Sequence, residues 1–451
     1  MVAAIIGGTV TNRPIVRPFV GVRYRQQDLS RVLAPPYDII TCAEQARLHE
    51  RDGHNVVRLE LGYGDADDDN SRYARAAATL RQWLNEGVLA HDDRPCVYPY
   101  AQSFPSTSLR AGSRGERRTR VGALCAVRLT PFEEGLVLPH EGTLKAPRED
   151  RRRLVLACQA QISPVLALHD DPRGEIAGAI AEMMAAPAIA TAQTNGEEHR
   201  LWRLGGDAAE RYCLALGQGP LYIADGHHRY ETALTVSREL RTAHPEAPTN
   251  AAFDYVLSLL CPAEQPGVVI LPTHRLLHLQ DEDERARLAS LIDERCQRQT
   301  MDCPVGDAIA SARALMQSLG RSDGIGRFGM YTKFGGCCLL AAKPQFVPRE
   351  PGPGGIDHLD TVLVHRLLIG PLFGGNAEGS RVSYVMDEAE AVRRVDEGEA
   401  GCALFLRPTT VAQVRRVAAA RLRMPGKSTY FYPKAPTGLV IADISPGRTV
   451  G

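Results

Sequence analysis

The sequence predicts a mixed α/β fold, and three observations lead to this prediction. Short apolar runs alternate with amphipathic stretches along most of the chain, as expected where strands alternate with helices. Apolar residues make up 44% of the sequence and charged residues 24%, a composition that can bury a large core. The length of 451 residues corresponds to roughly two or three domains.

Two helices are predicted from apolar residues at helical spacing. Ser71 is expected to cap the first helix, and Gly87 is expected to end it. The apolar face of this helix consists of Tyr73, Ala77, Leu80 and Leu84. The second helix follows Thr409 and Thr410, and its apolar face consists of Val411, Val414 and Ala418.

Apolar and aromatic runs predict strands at 221–224, 268–271, 403–406, 430–432 and 439–442. Two segments rich in proline, glycine or serine, 105–120 and 348–355, are interpreted as surface breaks. The first carries five arginines between Arg110 and Arg120, which indicate either a solvated loop or a phosphate-binding arm.

The balance of charge argues against large anionic partners. Lysine and arginine number 53, as do aspartate and glutamate, so no overall field attracts nucleic acid or an anionic membrane. Any phosphate binding must therefore depend on local groups. Residues 1–13 lack the features of a signal peptide, and no uncharged apolar run approaches the roughly 18 residues of a membrane span. A cytoplasmic location is therefore expected.

The 11 cysteines are scattered and form no C-x-x-C pair, and only Cys337 and Cys338 lie next to each other. This pattern is typical of buried free thiols rather than of a disulfide framework. We therefore expect no structural zinc site.

The most informative stretch is 219–234, in which an apolar strand is followed by Asp225, Gly226, His227, His228 and Arg229. Gly226 permits a sharp turn, and the helix that follows offers unpaired N–H groups and the positive end of its dipole to an anion. The two imidazoles and the guanidinium can add charge-assisted hydrogen bonds to phosphate oxygens. Asp225 is placed to hold Mg²⁺ or to orient a nucleophile.

A structural interpretation of the same stretch is that Asp225 caps the helix while the basic residues face solvent. Each residue alone would favour that interpretation. Five such residues at one strand-to-helix junction favour a phosphate site instead.

The segment 138–143 contains His140, Glu141 and Thr143 and precedes a charged stretch at 147–153. A carboxylate beside a histidine can accept the proton of an attacking hydroxyl group, while nearby basic residues neutralise a transferred phosphate. The alternative is a turn before a solvated helix.

Two further clusters are candidates for a binding site. Thr273, His274 and Arg275 follow a predicted strand, where ligands collect in α/β sheets, although they are equally consistent with a simple strand end. The segment 424–434 contains Gly-Lys-Ser-Thr but lacks the glycine that a P-loop needs at position 421, and it carries Pro425. It is therefore either a loop that lines an anion or substrate site or an exposed loop.

Five motifs, in chain order, resemble the protein family designated domain of unknown function 1015: 34–38 (APPYD), 140–141 (HE), 224–233 (ADGHHRYETA), 272–275 (PTHR) and 427–434 (KSTYFYPK). The central part is also similar to the ParB and sulfiredoxin-like fold, in particular to its free-serine kinase branch, where His-Glu precedes Asp-Gly-His-His-Arg. This resemblance implies a ParB-like core with flanking α/β regions.

The resemblance also implies roles for individual residues. Glu141 would be the catalytic base, and Asp225 would be its metal-linked or proton-accepting partner. Residues 226–229 would hold nucleotide phosphate, and residues 273–275 would bind an amino-acid substrate. The sequence departs from the branch in the 84 residues that separate Glu141 from Asp225, because 171–218 resembles an insertion. Asp38 and Lys427, outside the core, are expected to be pocket walls.

These inferences predict a phosphotransferase that uses ATP or ADP with Mg²⁺ and acts on a small hydroxyl compound, such as free L-serine. The alternative is a ParB-like nucleotide-binding switch or a nucleotide hydrolase. The predicted catalytic residues are Glu141, Asp225 and His227, with Asp225 also as the metal ligand. The predicted phosphate ligands are Gly226, His227, His228 and Arg229. The predicted substrate ligands are His140, Thr143, Thr273, His274, Arg275, Lys427, Ser428 and Thr429.

The expected domains are an N-terminal α/β region at 1–130, a ParB-like phosphate-binding core at 131–280 and a C-terminal α/β region at 281–451. Replacement of Asp225 by Asn is expected to abolish turnover and to leave the fold intact, because it removes a charge without changing the shape.

Overall fold

The computed structural model describes residues 15–64, 70–106, 117–143, 145–217, 219–302, 307–374 and 380–451. The sequence features at 1–13, together with Arg110 and Arg114 of the arginine-rich segment, lie outside the described residues. Strands and helices alternate along the chain, and the predicted mixed α/β fold is confirmed.

The strands are β1 (Val16–Arg17), β2 (Gly21–Tyr24), β3 (Leu89–His91), β4 (Cys96–Pro105), β5 (Arg117–Arg128), β6 (Val137–Leu138), β7 (Ala160–Gln161), β8 (Val165–His169), β9 (Ala190–Thr194), β10 (Glu197–Leu201), β11 (Leu204–Gly205), β12 (Leu221–Asp225), β13 (Tyr255–Pro262), β14 (Val269–Leu271), β15 (His274–Leu277), β16 (Cys296–Thr300), β17 (Arg327–Thr332), β18 (Gly336–Ala342), β19 (Val382–Val385), β20 (Cys402–Phe405), β21 (Tyr430–Tyr432) and β22 (Ile441–Asp443).

The α-helices are α1 (Cys42–Arg51), α2 (Val57–Glu60), α3 (Ser71–Asn85), α4 (Lys145–Cys158), α5 (Glu175–Met183), α6 (Asp207–Leu216), α7 (His227–Ala243), α8 (Glu282–Arg295), α9 (Ala308–Arg321), α10 (Asp360–Val364), α11 (Gly370–Phe373), α12 (Glu388–Asp396) and α13 (Val411–Ala419). Shorter 3-10 turns cover Tyr37–Ile39, Phe132–Glu134, Ala252–Asp254, Pro344–Phe346 and Pro353–His358, and a π-helical turn covers His365–Ile369.

Among the described residues, the largest sheet has ten strands, in the order β6-β12-β8-β13-β5-β4-β10-β9, with β1 on β5 and β11 on β4. Most neighbouring strands are antiparallel, but β6 runs parallel to β12, and β8 runs parallel to β13. The sheet is covered by apolar side chains on both faces, because separate buried clusters contain alternate residues of β5, β8 and β12.

A second sheet, in the order β16-β18-β17-β20-β15-β19, is antiparallel throughout. One of its faces packs against α8 and the α10–α11 region, and the other packs against α9 and α12. Of two smaller sheets, β3-β2-β22-β7 joins N-terminal strands to a C-terminal strand, and β14-β21 joins a central strand to a C-terminal strand.

Sheet membership does not follow the predicted domain boundaries. Strands β4 and β5, before residue 130, share the largest sheet with β6, β8, β12 and β13. Near the C-terminus, β21 pairs with β14, and β22 pairs with β2 and β7. The chain therefore returns to its first half after it has formed the second sheet.

Most of the predicted elements are confirmed. Helix α3 covers the first predicted helix, and Gly87 follows its end with a φ of +74°. Helix α13 begins after Thr410, which caps it through a reciprocal pair of hydrogen bonds with Gln413. The prediction that Ser71 caps α3 is wrong, because Ser71 is already the first residue of the helix. Strands β12, β14, β20 and β21 coincide with predicted strands, whereas β22 begins two residues later than predicted.

Two other interpretations of the sequence need correction. The surface break expected at 105–120 includes the start of β5, in which Arg120 is only 1% exposed and donates a hydrogen bond to Gln102. The described cysteines are largely free thiols, as predicted, but Cys337 belongs to a disulfide.

Candidate functional site

The two motifs with the strongest chemical signal meet at one edge of the largest sheet. Strand β6 leads into His140 and Glu141, and strand β12 ends in Asp225 and Gly226. The two strands are parallel neighbours, so their carboxyl ends face the same edge of the sheet. The distance of 2.8 Å between His140 Nδ1 and the carbonyl oxygen of Ile223 fixes the first motif against the second.

The segment 424–429 closes this edge from the C-terminal part of the chain. The backbone N–H of Met424 donates to the carbonyl oxygen of His140 at 2.8 Å. The backbone N–H of Lys427 donates to Glu141 Oε1 at 2.5 Å, and the hydroxyl group of Thr429 lies 2.9 Å from His140 Nε2. Lys427 has a φ of +56°, and its side chain is exposed.

The predicted substrate ligands at 273–275 bind the backbone of the segment 424–429 from the interior of the protein. The Thr273 hydroxyl donates to the carbonyl oxygen of Lys427 at 2.6 Å, and the Arg275 guanidinium donates to the same oxygen at 3.4 Å. His274 Nδ1 accepts the backbone N–H of Leu406 at 3.3 Å. His274 and Arg275 have no exposed surface, so the structure gives these residues a supporting role instead of the expected contact with substrate.

The hydroxyl groups of Ser428 and Thr143 also form hydrogen bonds with other residues of the protein. The Ser428 hydroxyl is buried and donates to the carbonyl oxygen of Pro425 at 2.7 Å. The Thr143 hydroxyl donates to Glu231 at 2.5 Å, and Arg148 donates to the same carboxylate at 2.7 Å. These contacts order the rim of the site on the side of α4 and α7.

Asp225 is held by two cations. Its Oδ2 accepts a hydrogen bond from Arg229 at 2.5 Å, and its Oδ1 accepts one from Lys434. The Lys434 ammonium group also lies 4.9 Å from the centre of the Tyr430 ring. Burial alone would raise the pKa of Asp225, but Lys434 and Arg229 lower it below 3.8, so the carboxylate is ionised.

Lys434 is the main site residue that the sequence-based prediction missed. It lies in the 427–434 motif, but nothing in the sequence places it against Asp225, 209 positions away. A usable signal was the second lysine in a motif for which an anion or substrate site was one of two open interpretations.

The residues at this edge do not fit the predicted role of Asp225 as a ligand of Mg²⁺. Both of its carboxylate oxygens are bound to cationic groups, which repel a divalent cation. In the part of the chain that the structure describes, no group of three or more histidine, cysteine, aspartate or glutamate side chains is arranged to bind a metal. We therefore assign no step to a protein-bound metal.

Glu141 has the electrostatic properties of a general base. Burial raises its pKa above 4.5, and Asp225 contributes to the same direction of shift. The N–H group of Lys427 and the charges of Lys427 and Lys434 oppose the shift without cancelling it. As a whole residue, Glu141 is only partly buried.

The two histidines nearest to Glu141 are neutral and structural. His140 donates from Nδ1 to Ile223 and accepts from Thr429 at Nε2, and burial lowers its pKa to about 4. His227 Nε2 accepts the backbone N–H of His140 at 3.3 Å, and burial lowers the pKa of His227 well below 6.5. This arrangement does not support a catalytic role for His227, because its ring is engaged in the packing of the two motifs.

The first turn of α7 faces the same region. Gly226 has a φ of +91°, which a residue with a Cβ atom adopts only with strain. Gly226 is the N-cap residue of this helix and has no side chain to cap it. His228 is partly exposed, and burial lowers its pKa, with Lys427 contributing in the same direction. The positive end of the α7 dipole therefore lies at this edge of the sheet, which favours an anion there.

The role of Asp38 as a pocket wall stays a prediction, but the structure places this residue near the candidate site. Asp38 is exposed in the 3-10 turn that follows Pro36, and its charge acts on the pKa values of His228, Arg229 and Tyr430. The N-terminal motif at 34–38 therefore lies beside the same edge of the sheet.

The lowered pKa values of four buried histidines predict that the fold loses stability in acid. Burial lowers the pKa of His140 and of His199 to about 4, that of His274 to about 3, and that of His227 well below 6.5. In the unfolded chain these groups bind protons near pH 6.5, so the unfolded state binds more protons than the folded state between about pH 6.5 and 4.

The stability contributed by these histidines is thus complete above about pH 6.5 and falls by about 1.4 kcal/mol per pH unit for each histidine below it. We expect the urea midpoint to decrease clearly between about pH 7.5 and about pH 5. An equal midpoint at both pH values would contradict the neutral, buried state of these side chains.

None of the described helices has the length and apolar character needed to span a bilayer.

Three solved structures resemble this protein at low sequence identity. A conserved hypothetical protein from Pyrococcus furiosus is 12% identical, with a TM-score of 0.33, and the comparison covers 68% of this chain and 93% of that chain. A free serine kinase in complex with AMP is 14% identical, with a TM-score of 0.33 and coverage of 68% and 89%. SbnI with a C-terminal truncation, from Staphylococcus aureus, is 9% identical, with a TM-score of 0.35 and coverage of 71% and 87%. Similarities at these TM-scores support no conclusion about activity.

Comparison with curated proteins finds no match. The sequence does match the family model described as protein of unknown function (DUF1015) over residues 16–362. This range includes the His140-Glu141 pair and the junction at 225–229, and it confirms the family resemblance that the motifs indicated. Because the match covers more than half of the chain, the protein belongs to the DUF1015 family.

Proposed function

We propose that this protein transfers a phosphoryl group from ATP or ADP to the hydroxyl group of a small compound, with free L-serine as the acceptor. The proposal depends chiefly on Glu141, a carboxylate of raised pKa beside the Asp225–Lys434 pair and the N-terminus of α7. The resemblance of these two motifs to the free-serine kinase branch supports the same assignment.

The phosphates of the nucleotide would bind at the first turn of α7. Asp225, Arg229 and Lys434 together carry one net positive charge, since two cations surround one carboxylate. Lys427 and Arg423 add two exposed cations beside Glu141, and Arg423 donates to the carbonyl oxygen of Glu141 at 2.8 Å. Positive charge and helix N–H groups at one edge suit a polyphosphate.

Glu141 would act as the general base. The hydroxyl oxygen of the acceptor attacks the terminal phosphorus of the nucleotide, and its proton passes to the Glu141 carboxylate. The bond between the terminal phosphorus and its bridging oxygen breaks as the new bond forms, and the nucleotide leaves with one phosphate fewer. The cations named above stabilise the charge on the transferred group.

The direct test is to incubate the purified protein with L-serine, excess Mg²⁺ and either ATP or ADP, and to measure O-phosphoserine by mass spectrometry. We expect phosphoserine with at least one of the two nucleotides, formed in equal amounts with AMP from ADP or with ADP from ATP. Absence of phosphoserine with both nucleotides would rule out L-serine as the acceptor.

L-Alanine is the matched control, because it differs from L-serine only by the hydroxyl group. Consumption of nucleotide should stay at background with L-alanine. Equal consumption with L-serine and L-alanine would instead indicate a nucleotide hydrolase or switch.

A further inference from the structure

A cavity of about 100 Å³ lies beside the proposed phosphoryl-transfer site. Lys434, which binds Asp225, forms part of its wall, and so do the rings of Tyr430 and Tyr432. Glu197, the first residue of β10, contributes a carboxylate to the same cavity wall. Burial is the main cause of the raised pKa of Tyr430, and the charges of Asp38, Asp225 and Glu197 act in the same direction, which indicates that this tyrosine lies near these carboxylates. The cavity and the site are therefore adjacent, with Lys434 common to both.

Among the described residues, no lysine or arginine forms a salt bridge with Glu197, and His199 Nε2 lies 3.7 Å from its Oε2. Its Oε2 accepts a hydrogen bond from Gln102 at 2.7 Å, and among the described side chains no donor binds its Oε1. The guanidinium of Arg120 donates a hydrogen bond to Gln102, not to Glu197, and affects Glu197 only through the effect of its charge on the pKa of that carboxyl group. Burial raises the pKa of Glu197, while Gln102 and Arg120 oppose that shift.

The neighbouring histidine does not neutralise Glu197. His199 Nδ1 lies 2.7 Å from the hydroxyl oxygen of Tyr100, and its Nε2 lies 2.8 Å from the hydroxyl oxygen of Thr194. One ring nitrogen of a neutral imidazole donates and the other accepts, so both contacts are satisfied without a second proton. Burial lowers the pKa of His199 to about 4, so it carries no charge near pH 7.

The wall of this small cavity also contains two cations, Arg51 and Lys434, and Lys434 already lies over the Tyr430 ring. The features left for a ligand are the open oxygen of Glu197 and the ring of Tyr432. A primary ammonium group suits both features, because it forms a charge-assisted hydrogen bond with the carboxylate and is attracted to the faces of aromatic rings. A carboxylate group would repel Glu197, and a hydroxyl group would donate a hydrogen bond without supplying an opposite charge.

We infer that this cavity binds the primary ammonium group of the acceptor, and that Glu197 is the residue that selects amino alcohols and hydroxy amino acids. This inference rests on the proposed function only in taking the ligand to be the acceptor of phosphoryl transfer, whose hydroxyl group reacts. The binding of the ammonium group in the cavity is argued independently of that reaction. Glu197 lies in the segment 171–218, which resembles an insertion relative to the free-serine kinase branch.

The test uses isothermal titration calorimetry to measure the affinity of the full-length protein, without nucleotide, for L-serine, ethanolamine and 3-hydroxypropionate. Ethanolamine keeps the ammonium group and lacks the carboxylate, whereas 3-hydroxypropionate is L-serine without its ammonium group. We expect L-serine and ethanolamine to bind, and 3-hydroxypropionate to bind at least about tenfold more weakly than L-serine. The Glu197→Gln variant should bind L-serine about tenfold more weakly and bind 3-hydroxypropionate as the wild type does.

Glu198→Gln is the matched control. Glu198 is the next residue of β10, bonds to Arg200 and is not part of the cavity wall, so this change should leave all three affinities unaltered. Equal binding of L-serine and 3-hydroxypropionate by the wild type would overturn the inference, and so would binding of none of the three compounds. Unchanged binding of ethanolamine by Glu197→Gln would overturn it as well.

The failure of this inference is distinguishable from failure of the proposed function. If L-serine and ethanolamine bind but no phosphoserine forms, the cavity still binds ammonium groups, and the proposed phosphoryl transfer is rejected. Phosphorylation of 3-hydroxypropionate as efficiently as of L-serine would support the transfer and reject the cavity assignment.

Discussion

Replacement of Glu141 by Gln is expected to lower the turnover number for phosphoserine formation by about 10²–10⁴-fold, because an amide cannot accept the proton of the attacking hydroxyl group. The amide oxygen can still accept the N–H group of Lys427, so the loop at 424–429 should stay in place. The affinity for nucleotide should therefore change little, and the loss should appear in the turnover number. Initial rates at saturating substrate, together with nucleotide titration, measure the two quantities separately.

The pH profile gives an independent check of this base. Because burial raises the pKa of Glu141, the wild-type rate should fall with decreasing pH through a midpoint above 4.5. The Glu141→Gln variant should lack this acid limb. Glu239→Gln is a suitable control, since Glu239 lies on α7 and pairs with Arg152 rather than with the site. A Glu141→Gln variant with the wild-type rate and the wild-type acid limb would show that another group removes the proton.

Replacement of Asp225 by Asn is expected to reduce both turnover and stability. The structure corrects the expectation of an intact fold, because Asp225 is the common partner of Arg229 and Lys434 and all three side chains are largely buried. Removal of one partner from a buried ion cluster typically costs about 3–5 kcal/mol. Turnover should fall by at least about 10²-fold, since Lys434 and Arg229 lose the group that orients them toward the phosphates.

Asp225→Asn combined with Lys434→Met tests the reason for the loss of stability. Removal of the ammonium group should recover at least about 1 kcal/mol of the free energy of unfolding, because it removes an uncompensated buried charge. Activity should not return, since Lys434 is also expected to act on the phosphates. Urea denaturation and the phosphoserine assay measure the two effects. An Asp225→Asn variant with wild-type stability and turnover would refute the proposed centre.

Local sequence patterns were sufficient for the parts of the site that depend on neighbouring residues. The apolar run before Asp225, the glycine at 226 and the helix after it are dictated within one short stretch, and the structure confirms them. The cap at Thr410 is local in the same sense. Such features are predictable because turn, cap and strand preferences act over a few residues.

The predicted roles of the basic residues were less reliable, because a charged or polar side chain does not reveal its direction. His227 and His228 are adjacent, but the first is buried against His140 and only the second reaches solvent. His274 and Arg275 were expected to contact a ligand, yet they lie inside the protein. Helical position and the packing of distant strands decide these orientations.

The sequence by itself determined the mixed α/β class, the strand-turn-helix junction at Asp225 and the candidate base Glu141. Only the tertiary structure decided that Lys434 neutralises Asp225, that the loop at 424–429 binds Glu141, and that Glu197 lines a neighbouring cavity. The physical reason is distance along the chain: local preferences fix elements, whereas contacts between residues more than 200 positions apart depend on how the sheets are assembled.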